Sequence, residues 1–589
     1  MKKAIISYQP SKNKWAICSH LGCGLLLVIL LRIVVLPTEP RWSRADIWLS
    51  WTVLSLFAFA TVFSIAYLIQ RRTEGKRIWN RLDLLIIIWS IYYILRIWLG
   101  GEYPCATTFL KTFEVILLYF GLRCILPLLR MPSDYLLIGL LVCVVYESVA
   151  GFTQIISGRS RHFLYFLTGT FLNPGPYAAI LGMGAAIAMA WLQEMKKGWG
   201  KTIVTFVAIL PLILLPATWS RAAMLSLAIV VLLMFRKYYW RWRWALWTGA
   251  TIMAVAFYFL KQGSADGRLL TWSGALTAWQ HHPWFGVGIG GLQHAVATGI
   301  SELYESYPSS PLFSTGGVAE YAFNDLLTIL TEQGIAGAIL IVSIVCCSMI
   351  KLRKCSKPLF YGLLSLLIFS LFSYPFELLP FRIITILIVA WTASSLPHKG
   401  KVEKTCPGAV FSLVLLTLAY LTTKEIAICH EADKEYSLFA GIEHEAFIKD
   451  YHELLPLERD NVRFLFDFGK TLRKQGRYND SNDMLRQGTL VSADPMFYVI
   501  MGNNYMDMGE CDLAEQHYRK AFSTLPNRLY PLYQLMLLNK ACDDAEKTTF
   551  YAKKVISFKE KVASPATQKM KEDARLYLQQ QKECYGGFY

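Results

Sequence analysis

Charge is what this sequence has least of. Only 17% of its 589 residues are Asp, Glu, Lys or Arg, against roughly 25% in an ordinary soluble domain. Meanwhile 54% are hydrophobic and the mean hydropathy is +0.36, which excludes a wholly soluble or disordered chain. Metal-ligand spacing is also missing. The 13 cysteines form no Cys-x-x-Cys pair and no Cys/His pair at ligand spacing, so neither a metal nor a soluble cofactor is implied. Acidic residues are scarce in one part only: residues 1–429 hold 18 Asp and Glu against 37 Lys and Arg, whereas residues 430–589 hold 24 against 22. The formal charge of +17 therefore belongs to the apolar part, where it reads as membrane topology and not as a nucleic-acid surface.

Apolar runs of roughly 17 to 25 residues can cross a bilayer as helices. They lie near 16–37, 47–69, 82–99, 107–126, 135–156, 176–193, 203–217, 221–235, 244–260, 324–350, 359–374, 377–394 and 408–428. Tight outer turns must separate two close pairs, at Trp219 and Ser220 and at Tyr374 to Glu377. With the N terminus in the cytoplasm, the inside segments 1–15, 70–81, 123–134, 194–201, 236–243, 351–357 and 397–404 hold 25 Lys and Arg, and the outside loops only a handful. That is the bias expected of cytoplasmic loops. The cluster Arg236, Lys237, Arg241 and Arg243 among Tyr and Trp suits anionic headgroups of the inner-membrane lipids. The first span is expected to stay as an uncleaved helix, because its apolar core is too long for a signal peptide. An odd number of spans puts the tail outside, in the periplasm of a Gram-negative cell.

The tail is polar, helical and repetitive. Gly469, Gly476, Ser481 and Gly488 recur 33 residues later as Gly502, Gly509, Ala514 and Ala521, and Pro495 and Pro526 close the units. This is close to the 34-residue tetratricopeptide period, in which small residues let paired helices approach. Three or four helical pairs in a small solenoid are expected, with 431–456 and 530–558 as degenerate flanking repeats, and an unrelated helical bundle is the alternative. Such a domain binds or positions a partner, a protein among the candidates, more plausibly than it performs chemistry. Outside the cell membrane, Cys511, Cys542 and Cys584 could form one disulfide, whose pairing is left open. The expected architecture is thus all-α: an integral membrane domain over 1–429 with about 12 to 13 spans and a long outer loop at 261–323, then a repeat domain over 430–589.

Several Arg residues collect at the outer ends of spans: Arg159 and Arg161 after the fifth, Arg221 at an outer helix junction behind Ser220, and Arg268 shortly after the ninth. A guanidinium is a permanent planar fork for phosphate oxygens, and a helix start adds unpaired N–H groups. The set suits a pyrophosphate at the membrane surface, whereas any one Arg could equally snorkel to headgroups or pair locally. Asn324 could hydrogen-bond a sugar or acceptor, or cap its own helix. The glycines after Pro283 lack the strand-to-helix setting of a dinucleotide site and read as close backbone turns. Glu377 and Arg382 read as a structural pair.

Over residues 150–345 the chain resembles the superfamily of O-antigen ligases, O-antigen polymerases and bacterial protein O-oligosaccharyltransferases. The resemblance rests on Gly169-Thr-Phe-Leu-Asn173-Pro174, Ser220-Arg221, Gly267-Arg268 with Trp279, His282-Pro283 with Gly286-x-Gly288, and Asn324 followed by Glu332-x-Gly334-x-x-Gly337. It implies metal-independent, inverting transfer of a glycan from undecaprenyl pyrophosphate to an acceptor hydroxyl, of lipid A-core or of a protein, at the outer face of the bacterial inner membrane. Arg221 and Arg268 match family positions that hold the pyrophosphate; Arg159 and Arg161 follow from charge placement alone. Ser220, Trp279 and His282 are further groove candidates. Family members often carry a His directly before the Asn of the post-loop helix as general base. Phe323 stands there instead, so the base must lie elsewhere. Glu320 and His294 are favoured as lying in a flexible, accessible part of the loop, with Asp325, His281 and His282 next. A repeat-unit polymerase is the alternative within the class; a polysaccharide transporter and a non-catalytic envelope scaffold are the alternatives outside it.

Overall fold

A computed structural model describes residues 80–100, 103–129, 131–160, 165–395, 408–561 and 563–586, with scattered positions between 20 and 31. The expected span at 47–69, most of the first, the segments 1–15 and 397–404, and Arg161 lie outside the described residues. The described chain is all-α and contains no strand. Its helices are α1 (Arg81–Leu99), α2 (Ala106–Leu129), α3 (Ser133–Ser157), α4 (Pro174–Glu194), α5 (Trp199–Ala217), α6 (Arg221–Phe235), α7 (Arg243–Leu260), α8 (Gln262–His281), α9 (Leu292–Ser306), α10 (Asp325–Cys355), α11 (Lys357–Ser370), α12 (Leu379–Ser394) and α13 (Gly408–Ser437). In the tail follow α14 (Ile448–Glu458), α15 (Val462–Lys474), α16 (Tyr478–Val491), α17 (Met496–Asp507), α18 (Cys511–Thr524), α19 (Leu529–Ala541), α20 (Ala545–Ser557) and α21 (Pro565–Gly586). Six described helices, namely α1, α3, α4, α5, the segment Trp240–Leu260 and α10, are long and apolar enough to cross a membrane; α6, α11 and α12 are apolar but shorter. The protein is a multi-pass membrane protein. Both tight turns form where expected, after Ala217 and as a short 3-10 turn at Pro375–Glu377. Arg382 does pair with Glu377, at 3.4 Å.

The chain divides into two compact units. The first takes residues 1–91, 109–256 and 339–428; the second takes 92–108, 257–338 and 429–589. In the first, α4 is the hub, packed on α3, α5, α6 and α11. Nine of its 21 residues are Gly or Ala, which fits a helix that must approach its neighbours closely, since lipid supplies no hydrophobic drive for helix pairing. A side chain at Gly184 would meet Val144 at 2.3 Å, and one at Gly362 of α11 would meet Ile187 at 2.4 Å. Outward faces carry exposed Val142, Ile203 and Phe206, which suits contact with lipid tails. One charged network is sealed inside: Arg123 grips Asp83 with two bonds of 2.7 and 2.9 Å, Tyr119 donates to the same carboxylate, and Ser394 accepts from Arg123. Every partner of this buried pair is satisfied, the condition under which such a pair is tolerated.

The second unit joins three segments far apart in sequence. The stretch expected as a long loop is largely helical: α8 and α9 pack side by side, followed by a 3-10 turn at Pro311–Thr315. Leu270, Ala275, Leu292, Val296, Ile300, Phe313, Ala322 and Leu327 form its core, and Ala493 of the tail belongs to the same core. Helix α9 lies against α18 and α16. Polar stitches reinforce this seam: Ser301 and Ser523 hydroxyls meet at 2.6 Å, Asn527 Nδ2 donates to the Gly316 carbonyl at 2.7 Å, and Lys561 Nζ donates to that of Thr315 at 2.8 Å. Within the tail the repeated small residues sit at helix crossings. A side chain at Gly469 would meet Leu485, one at Gly502 would meet Tyr518, and one at Gly488 would meet Phe497, all closer than 3 Å. Cys511 and Cys542 form a disulfide between the start of α18 and the end of α19.

Candidate functional site

In the first unit the Gly169–Pro174 segment is a turn held from below by two polar side chains of α3. Glu147 and Gln154 are seven residues apart, hence on one helix face, and both are buried. Gln154 Oε1 accepts from the Thr168 and Gly169 N–H groups at 2.9 Å, and its amide donates to the Gly169 carbonyl. Glu147 accepts from the Thr170 hydroxyl at 2.5 Å and from its N–H at 3.1 Å. Gly169 has φ +58°, and a side chain there would strike the Tyr177 ring and the Glu147 carboxylate, so only glycine fits. Asn173 then caps α4, accepting from the Gly175 N–H at 2.8 Å, ahead of Pro174 in the first turn.

Arg159 is exposed, one residue past the left-handed Gly158 that ends α3. Arg221 is half-buried at the first position of α6. The residue before Ser220, Trp219, is held at φ +54° and is 70% exposed. A bulky side chain in the left-handed region is uncommon and marks a constrained site. Ser220 occupies the cap position, but its side chain makes no capping bond. Its own N–H donates to the Thr218 hydroxyl at 3.2 Å.

In the second unit, α8 presents Arg268 and Trp272 one turn apart. The Trp272 indole donates to the Ala322 carbonyl at 2.8 Å, and the Arg268 guanidinium lies over the Phe323 ring at 5.0 Å. Phe323, at the position where a base was expected, is the second aromatic residue with positive φ, at +53°. It turns the chain so that Asn324 caps α10, accepting from the Leu327 N–H at 3.0 Å. Asp325 is buried in the first turn. Glu320 is exposed, and its carbonyl accepts from Gln293 Nε2 at 3.4 Å. His294 does not lie in a flexible loop. It stands in the first turn of α9, half-buried, its Nδ1 2.8 Å from the Thr489 carbonyl and its ring tilted against Tyr103. His281 is tied to Glu302 at 3.0 Å, both exposed. His282 is exposed at the end of α8, and the Trp279 indole donates to the Pro283 carbonyl at 3.2 Å.

Pro283 to Gly290 and Glu332 to Gly337 form one object. Helix α10 is broken at Gly334, whose φ of +66° and ψ of −167° are not helical. In an unbroken helix the Ile335 and Ala336 N–H groups would bond to the Thr331 and Glu332 carbonyls. Here they donate instead to Pro283 and Trp284 at 2.9 and 3.1 Å, while those two carbonyls accept from Val287 and Gly288 at 2.8 and 3.1 Å. The inserted segment thus satisfies all four groups that the break exposes. Gly286 and Gly334 face each other so closely that a side chain on either would lie 2.4 Å from the opposing backbone. Tyr92 donates to the Gln333 carbonyl, Arg96 to that of Gly286 at 3.2 Å, and the Gly290 N–H to Glu332 at 3.1 Å. Beside this insertion, burial and then the nearby Glu332 and Asp460 push the Cys105 thiol up to about 11, so Cys105 remains a protonated, unreactive thiol.

Sequence reasoning missed Glu147, Gln154, Tyr92 and Arg96. An acidic residue within an apolar run is itself a signal, and Glu147 with Gln154 at helical spacing could have been found that way. Tyr92 and Arg96 act through side-chain reach across the fold, for which no local pattern exists.

No curated protein matches the chain. The crystal structure of MamA protein is similar at 18% identity and a TM-score of 0.21, covering 28% of this chain and 96% of that one. Over residues 206–342, from α5 through Arg221, Arg268 and the broken helix α10, the chain matches the O-antigen ligase family.

Proposed function

We propose that this protein transfers a glycan from undecaprenyl pyrophosphate to an acceptor hydroxyl, of lipid A-core or of a protein, at the outer face of the inner membrane, without a metal ion and with inversion at the anomeric carbon. The observation that carries the reading is the O-antigen ligase match over 206–342, which takes in Arg221, Arg268 and the inserted segment together. In the reaction the acceptor oxygen bonds to the anomeric carbon while the bond from that carbon to the pyrophosphate oxygen breaks. The acceptor proton passes to a base and the electron pair leaves with the phosphate. The leaving group gains charge, so fixed cations aimed at it stabilise the transition state more than the ground state. Arg221, beside the N–H groups that open α6, and Arg268, steadied over Phe323, supply such cations. Arg159 and Arg161 are further candidates for binding the donor pyrophosphate, and Ser220, Trp279 and His282 are further candidates for binding its sugar.

Topology supports an external site. The 257–338 segment and the tail belong to one compact unit, so the chain between them crosses the membrane an even number of times. Read as four crossings, helices α10 to α13 support a tail on the outer side with the loop when the N terminus is cytoplasmic. The Cys511–Cys542 disulfide suits that oxidising compartment.

The test is glycoconjugate profiling of the native host, comparing wild type, a deletion, Arg221→Ala and Arg268→Ala. Loss of the lipopolysaccharide ladder with accumulation of lipid-linked glycan is the result expected for ligation to lipid A-core, and loss of glycoproteins alone identifies a protein acceptor. A ladder reduced to one repeat identifies a polymerase. A deletion phenotype that both Arg variants complement overturns the pyrophosphate clamp.

A further inference from the structure

The loss of the expected His at position 323 leaves the acceptor proton without an obvious destination, and the second unit offers a replacement at its seam with the tail. We propose that His294 is the general base, with the Thr489 carbonyl of the repeat helices fixing which of its nitrogens is free to accept. This inference rests on the transfer reaction proposed above.

The argument begins with Thr489. It lies in the last turn of α16, so its carbonyl is one of the four that a helix end leaves without an intrahelical donor. A carbonyl can only accept, so at 2.8 Å from Nδ1 it requires that nitrogen to carry the hydrogen. Nε2 is then the unprotonated nitrogen, the one able to take a proton, and among the described residues it forms no hydrogen bond. The tilted ring of Tyr103 at 5.8 Å further limits its orientation. When Nε2 takes the acceptor proton, the resulting imidazolium stays against the Thr489 carbonyl in the last turn of α16. Its Nδ1–H bond to Thr489 becomes charge-assisted and stronger. The proton is afterwards released to solvent, and the ring returns to its starting tautomer.

The other titratable candidates lack this arrangement. Glu320 is exposed and its side chain forms no hydrogen bond among the described residues; His281 is tied to Glu302 in solvent; His282 is exposed at a helix end; and Asp325 is buried at the start of α10. His294 is also joined to the loop that bears Phe323. Gln293, its neighbour, holds the Glu320 carbonyl, while Trp272 holds that of Ala322. The repeat helices therefore complete the site rather than merely recruit to it, because they supply the acceptor that orients the ring.

The decisive variants exploit side-chain length in the full-length protein, reconstituted with lipid-linked donor. An Asn at 294 carries an amide N–H near the position of Nδ1 and keeps the bond to Thr489, but it has no basic nitrogen. If His294 only tethers α9 to the tail, His294→Asn stays within about 3-fold of wild type, and the proposal falls. The expected result is that His294→Asn loses turnover as completely as His294→Ala, by about 100-fold or more, with the donor KM unchanged. Arg268→Ala separates this from the parent reading: if it transfers normally, the donor site itself is wrong; if it is inactive while His294→Asn is active, only the base assignment fails. A measurement that needs no variant to turn over is selective ¹⁵N-histidine NMR, with the His294 signals assigned by their absence from His294→Asn. Nδ1 should be the protonated nitrogen of the neutral ring, and a ring protonated at Nε2 instead overturns the proposal.

Discussion

Two stretches of backbone leave regular helix at buried positions, and they satisfy their polar groups by opposite means. At Thr168–Thr170 side chains do it: Glu147 and Gln154, from one face of α3, bond to the three N–H groups and one carbonyl of the turn. At Gly334 main chain does it: Pro283 to Gly288 exchanges four backbone bonds with the opened helix. Irregular backbone in a membrane protein is tolerated where the protein itself supplies the partners. The difference lies in what can fail. A side-chain solution can be weakened by degrees through the chemistry of one residue. A backbone solution depends on two chain segments approaching to van der Waals contact, and so on glycine.

The largest expected effect follows from that dependence. Gly334→Ala and Gly286→Ala each place a methyl group 2.4 Å from opposing backbone, at residues whose φ is +66° and +71°. Backbone cannot yield as a flexible side chain does, so both the strain and the four inserted bonds are at stake. We expect a loss of about 4 kcal/mol or more in stability, seen as a large drop in the thermal midpoint of the purified full-length protein and as new proteolytic cleavage at 283–291. An unchanged midpoint for either variant would mean that the insertion is not rigid.

Next comes the side-chain solution. Glu147→Ala leaves the Thr170 N–H and hydroxyl without their buried acceptor and is expected to cost about 3 kcal/mol. Glu147→Gln should cost only about 1 kcal/mol. The amide oxygen can still accept from the Thr170 N–H, and the hydroxyl can rotate to accept from the amide nitrogen. Equal destabilisation by Ala and Gln would show that the negative charge itself matters at this site, which would move Glu147 from support to chemistry.

Why one solution was partly legible in the sequence and the other was not follows from the same contrast. The hydropathy runs located the helices because membrane burial acts on each segment separately; α1 to α7 and α10 to α12 begin and end within about five residues of the expected bounds. The 33-residue spacing marked the small residues at the repeat crossings, because each crossing recurs. Gly286-x-Gly288 and Glu332-x-Gly334-x-x-Gly337 were both visible as fragments, and close turns were the right reading of the first. That the two fragments are one object was not visible, because main-chain hydrogen bonds leave no residue-type signature other than glycine. The helical order of 262–306 and the attachment of His294 to Thr489 were hidden for a related reason. Those contacts join segments nearly 200 positions apart, and no local pattern reports the partner. Arg221 and Arg268 stood out in the sequence as charge at expected outer span ends, whereas Glu147 and Gln154 sat unremarked inside an apolar run.

The smallest effect isolates the part of the glycine requirement that is pure backbone conformation. Gly509 turns the chain between α17 and α18 at φ +82°, and a side chain there would meet nothing within 4 Å. Gly476 has the same role 33 residues earlier, and Asp543 occupies the corresponding turn 34 residues later at φ +58°. Gly509→Ala therefore carries the left-handed penalty and no clash, about 1 kcal/mol. Asp543→Gly removes that penalty but returns chain entropy to the unfolded state, so its net effect should stay within about 0.5 kcal/mol of zero. If Gly509→Ala falls as far as Gly334→Ala in the same thermal assay, φ alone explains both sites. If it falls about a quarter as far, the remainder measures how closely the inserted segment holds the broken helix, which is the quantity that distinguishes a turn in a repeat from a helix break filled by a second stretch of chain.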